Sequence, residues 1–118
     1  MVPAGVQEEM LANGYLLRQG TVLGFTWKKH YWVLTANGSL HEFPSRSEPC
    51  PVASYFLPHC FVELVLSEDG LIHLSLHPRE RGWFSTGAPT KLILKAEGGA
   101  AIHEWVVAIQ RFVAERPP

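Results

Sequence analysis

Apolar and polar residues alternate at period two over much of the chain. The clearest case is 71–77, where Ile72, Leu74 and Leu76 alternate with His73, Ser75 and His77, the pattern of a strand with one buried face. Similar segments rich in aromatic and β-branched residues are GYLLRQ (14–19), KKHYWVLT (28–35), SLHEF (39–43), VASYFL (52–57, running up to Pro58), CFVELVL (60–66) and TKLILKA (90–96). Ala36-Asn37-Gly38 predicts a tight hairpin, because Asn-Gly accepts the positive φ such turns demand. Pro44 and the polar stretch after it close the third strand, Ser67-Glu68-Asp69-Gly70 makes a further turn, and an irregular loop, PRERGWFSTGAP, precedes the last strand. From Ala100 the period becomes helical: Ile102, Trp105, Val106, Ile109, Phe112 and Val113 recur at spacings of three and four until Pro117-Pro118. Residues 1–12 read as a leader.

The expected fold is therefore mainly β. Seven antiparallel strands curl into a partly open sandwich or barrel, and one C-terminal amphipathic helix covers one end. The other end stays available to a ligand. At 118 residues, 47% hydrophobic and 18% charged, the chain suits one folded domain rather than two, and neither disorder nor a collagen-like repeat fits. Its formal net charge of −1 gives no overall attraction to nucleic acid or anionic lipid, so any polyanion affinity must come from local clustering. No run reaches the roughly 18 apolar residues of a membrane-spanning helix, and acids stand near the start where a secretory signal would be basic. A cytoplasmic home is expected, with Cys50 and Cys60 as free thiols. His41, Cys50, His59 and Cys60 lack metal-pair spacing, and no nucleophile elbow, phosphate loop or dinucleotide fingerprint occurs. No enzyme activity, metal or cofactor is expected.

Three pieces, in order and spacing, carry a family likeness. They are Gly14-Tyr15-Leu16-Leu17-Arg18, Lys28-Lys29-His30-Tyr31-Trp32-Val33-Leu34, and the helix around Trp105 in HEWVVAI. Over residues 13–116 the chain resembles a pleckstrin homology (PH) domain. VLTANGSLHEF followed by PVASYFLPHC is similar to the PH domains of fungal plasma-membrane adaptors that bind phosphatidylinositol bisphosphate. The resemblance implies a helix-capped seven-stranded sandwich that binds phosphoinositide headgroups at its uncapped end. The family's basic positions, at the end of the first strand and the start of the second, fall on Arg18, Lys28 and His30, where lipid binders place arginine in the last. It also implies a location at the cytosolic face of the plasma membrane. The alternative is a PH domain that binds a protein partner and no specific lipid.

These residue types suit the task. Ring phosphates need two or three cationic donors converging within hydrogen-bond reach. Residues two apart on a strand share a face, so Lys28 and His30 lie side by side and Arg18 joins them from the neighbouring strand. Arg79 and Arg81 are expected at the same end, making a basic rim suited to an inositol bisphosphate. An imidazole at position 30 gains charge on acidification, so binding should strengthen at lower pH. Val22, Leu23, Phe25 and Trp27 make the first loop unusually apolar and are expected to enter lipid beside the headgroup site. Thr26-Trp27 is also similar to a Ser-Trp pair that marks a second lipid position in the family, outside the first loop. There Glu68 and Asp69 would oppose phosphate, so the inner position is favoured.

Overall fold

The computed structural model describes residues 9–20, 26–79 and 89–114. Its strands are β1 (Met10–Gln19), β2 (Trp27–Thr35), β3 (Ser39–Phe43), β4 (Ala53–Phe56), β5 (Cys60–Leu66), β6 (Leu71–Pro78) and β7 (Thr90–Lys95), and the helix α1 is Gly99–Gln110. A single 3-10 turn, Leu57–His59, links β4 to β5. All seven strands pair antiparallel in one curled sheet ordered β4-β3-β2-β1-β7-β6-β5.

Two boundaries differ from those read in the sequence by more than one residue. β1 starts at Met10, so Met10–Ala12 belong to the sheet and not to a leader. The strand runs through Gly14, which takes φ 152 and sits opposite Trp32, and the Glu9 carbonyl accepts the Ala36 N–H at 2.8 Å. At the other end α1 stops at Gln110, although the apolar spacing runs on to Val113. Phe112 and Val113 still pack against the core, in turns whose N–H groups donate to Ile109 and Gln110, and the Ala114 N–H reaches the Val62 carbonyl at 3.1 Å. The chain after α1 is thus tied to edge strand β5.

The strand alternation sorts side chains into an interior and an exterior. Leu16, Trp32, Leu34, Leu40, Val62, Ile72, Leu74, Leu76, Leu92 and Leu94 fill the interior with Trp105, Ala108 and Ile109 of α1. Each side chain of this size stabilises by roughly 1.5–3 kcal/mol when fully buried. Tyr31, Val33 and Phe43 form a smaller cluster on the opposite face of β2 and β3. There the Tyr31 hydroxyl donates to Asn13 Oδ1 at 2.7 Å, and burial raises its pKa above the ordinary tyrosine value. Both cysteines are free thiols. His77, on the face of β6 opposite Ile72, Leu74 and Leu76, is nonetheless largely covered; its Nε2 lies 3.4 Å from the Glu63 carboxylate, with 13% of the side chain exposed. Phe61 is its cross-strand neighbour.

The same alternation positions the site. Arg18 follows Leu16 on the inner face of β1, His30 and Lys28 precede Trp32 on that of β2, and Glu42 follows Leu40 on that of β3. Leu11, near the far end of β1 from Arg18, lines a groove with His103 and Val107 of α1. The helix therefore covers the end of the sheet opposite Arg18.

Candidate functional site

At the uncovered end lies a cavity of about 580 Å³, lined by Arg18, Gln19, Thr26, Lys28, His30 and Glu42, with Pro44, Val52 and Ala53 as its apolar wall. Arg18 stands directly across from Lys28, and His30 across from Leu16. The sequence reading brings Arg18, Lys28 and His30 together, and the structure places all three in this one cavity.

The residue it misses is Glu42. Only 2% of its side chain is exposed, and it accepts a hydrogen bond from Arg18 Nη1 at Oε1 (2.7 Å) while Oε2 lies 2.7 Å from His30 Nδ1. A carboxylate offers acceptors only, so the His30 contact requires the proton on Nδ1. Burying this charge is tolerable because it is paired and hydrogen-bonded on both oxygens. Lys28 is exposed and makes no ion pair among the described residues. Counting formal charges, Arg18 and Lys28 against Glu42 leave one net positive charge while His30 is neutral. The signal for Glu42 was present in the sequence: Leu40 faces inward, and a residue two further on must do the same.

Arg79 is not among the residues lining this cavity, contrary to the expected rim. Its backbone N–H donates to the His59 carbonyl (3.0 Å), its Nε donates to the Pro58 carbonyl (3.0 Å), and its guanidinium lies 4.3 Å over the Phe61 ring. These contacts hold it beside a second cavity of about 430 Å³, with Phe56, His59, Cys60 and Pro78. An arginine offered a carbonyl and an aromatic face close to its own backbone takes them in preference to a distant cationic cluster. Burial raises the pKa of the Cys60 thiol there, an effect that the Arg79 charge partly opposes. Arg81, Val22, Leu23 and Phe25 lie outside the described residues.

Trp27 opens β2 on the outer face, with Lys95 Nζ 5.9 Å from its ring centroid. Near it Lys29 lies 5.4 Å over the Tyr15 ring and 3.3 Å from the Glu97 carboxylate, both ends of that pair being largely exposed. Asp69 is close by: the Ser67 hydroxyl is the main cause of its lowered pKa, with smaller contributions from the charges of His73 and Lys95. The outer face thus sets acidic groups beside its lysines. Among the described residues no three metal-ligating side chains cluster, and no helix is long and apolar enough to cross a membrane.

Comparison with known proteins bears on what this scaffold is. Solved structures of similar fold include the PH domain of the human KIAA0053 protein, with a TM-score of 0.65 and 19% identity over 96% of each chain. The C-terminal PH domain of pleckstrin in complex with an inositol pentakisphosphate gives 0.62 and 23%, covering 91% of this chain and 98% of that one. The Slm1 PH domain in complex with inositol 4-phosphate gives 0.67 and 23%, covering 92% and 100%. No curated protein sequence matches. The sequence pattern of the PH domain matches residues 7–71, more than half of the chain, and with the seven-stranded sheet and C-terminal helix this establishes that the chain belongs to the PH domain family.

Proposed function

We propose that this PH domain binds a phosphoinositide headgroup in the cavity between β1, β2 and β3, and so brings the protein that carries it to the cytosolic leaflet of the plasma membrane. The observation that carries the reading is the cross-strand pair Arg18 and Lys28, set with His30 in a single cavity at the end of the sheet that the helix leaves uncovered. Arg18 and Lys28 hold the phosphate, and His30 supplies a third donor when charged. Arg81 adds positive charge near the anionic surface, where each such residue contributes ~1 kcal/mol. Val22, Leu23, Phe25 and Trp27 enter the lipid interface beside the headgroup. The pleckstrin and Slm1 PH domains crystallised with inositol phosphates share the fold and support the reading by analogy. Arg79 is left out of the headgroup set, because its contacts hold it at the second cavity.

A protein-interaction module is the second reading, favoured by the fact that Glu42 already occupies Arg18. Co-sedimentation separates the two, using vesicles of neutral lipid with or without phosphatidylinositol 4-phosphate or 4,5-bisphosphate. The lipid reading expects phosphoinositide-dependent binding that falls about tenfold or more in Arg18→Ala and in Lys28→Ala, each loss removing a charge-assisted hydrogen bond. Equal sedimentation with and without phosphoinositide would move the assignment to a protein partner.

A further inference from the structure

The cavity carries an anion of its own, and that bears on which headgroup it accepts. We propose that Glu42 is a specificity-determining residue: it makes the site favour a ligand with one phosphomonoester over a ligand with several. The proposal rests on the headgroup reading above and narrows it.

Donor accounting leads there. Arg18 has five N–H donors, and Nη1 is engaged by Glu42 Oε1 at 2.7 Å. His30 has two ring nitrogens, and Nδ1 is engaged by Glu42 Oε2 at 2.7 Å. With the Nδ1 position protonated, a neutral imidazole has a lone pair at Nε2 and cannot donate there. His30 therefore donates to the phosphate only as imidazolium. The charged and titratable groups facing His30 in the cavity are Arg18 on β1, Lys28 on β2 and Glu42 on β3, whereas β4 contributes Ala53 alone.

A first phosphate group meets Lys28, the free edge of Arg18 and the charged imidazole, and it matches what the site has to offer. A second or third phosphate finds no further cation among the described lining residues and adds its charge to that of Glu42. Nor can the carboxylate withdraw into solvent, being 2% exposed and held at both oxygens. Because Glu42 is almost wholly buried, its repulsion of a further phosphate is screened less than repulsion between two exposed charges. The expectation of a bisphosphate ligand drawn from the sequence counted Arg79 at the rim and no internal acid. Both terms change in the structure, and both lower the charge available.

The test is calorimetric titration of the chain, and of Glu42→Gln and Glu42→Asp, with soluble inositol monophosphate and inositol trisphosphate. The wild type should bind the trisphosphate no more tightly than the monophosphate. Glu42→Gln keeps the size and an acceptor for Arg18 but removes the charge, so it should tighten the trisphosphate by about tenfold, equivalent to ~1.4 kcal/mol, and the monophosphate by less. Glu42→Asp retains the charge and should keep the wild-type order. Unchanged or weaker trisphosphate binding by a folded Glu42→Gln, with binding still lost in Arg18→Ala, overturns the role of Glu42 and leaves the headgroup site standing. Binding of neither ligand by the wild type or by Glu42→Gln overturns both. The wild-type protein gives a check independent of any variant's folding: nitrogen NMR of the His30 ring should show Nε2 becoming protonated as monophosphate binds. A ring that does not respond to Arg18-dependent binding counts against the proposal.

Discussion

Replacing Glu42 by alanine tests the internal ion pair directly. The change removes an acceptor that is almost wholly buried and two hydrogen bonds of 2.7 Å, to Arg18 and His30. A hydrogen bond to a charged group contributes about 1.5–3 kcal/mol. The partners are not sealed, however: 31% of the Arg18 side chain and 18% of His30 remain exposed, so water replaces part of what is lost. Relief of the desolvation cost of the carboxylate acts in the same direction. The expected net loss is then about 1–2 kcal/mol, and for a chain of this size each kcal/mol moves the midpoint by roughly 4 °C. Thermal melts followed by circular dichroism should show Glu42→Ala unfolding about 4–8 °C below the wild type. Arg18→Ala and the double variant complete a cycle whose coupling should be of order 1 kcal/mol. A Glu42→Ala melt indistinguishable from wild type, or additive single and double variants, would show that the carboxylate and Arg18 do not depend on one another, and the account of the cavity would lose its basis.

Two further outcomes follow from local geometry. Gly38→Ala should destabilise much more than Gly70→Ala in urea melts: both glycines have positive φ, +95 and +81, but a Cβ on Gly38 would meet Pro58 Cδ at 2.7 Å and Phe112 Cε1 at 3.0 Å, whereas one on Gly70 meets nothing within 4 Å. Equal losses would show that the backbone alone sets the cost. The Ser67 hydroxyl holds the Asp69 pKa below its ordinary value, so Ser67→Ala should raise it in a carbon-detected NMR titration. A depressed folded-state pKa stabilises above the unfolded value, and the effect is lost as pH falls through the folded one; an Asp69 titration unmoved by Ser67→Ala contradicts this assignment.

Much of the fold was legible in local pattern. Period-two alternation placed Ile72, Leu74 and Leu76 inside, Asn37-Gly38 marked the β2–β3 hairpin, and Trp105 at helical spacing pointed to the core, where it is 3% exposed. Alternation also brought Arg18, Lys28 and His30 to one face. What local pattern could not supply was contact across several strands. Glu42 is 24 residues from Arg18 in sequence, and their meeting depends on the registers of β1 with β2 and of β2 with β3 together. Arg79 shows the same limit from the other side. Its chain position suggested the rim, but its destination was decided by a carbonyl at Pro58 and a ring at Phe61, which the 3-10 turn and the pairing of β5 with β6 bring near.

Backbone-amide NMR of the labelled chain, titrated with soluble inositol monophosphate, tests the headgroup reading most directly. Saturable shifts concentrated at Arg18, Lys28, His30 and Glu42 are the predicted result. Shifts centred instead on Tyr15, Trp27 and Lys95 on the outer face, or none at any concentration of ligand, would contradict it.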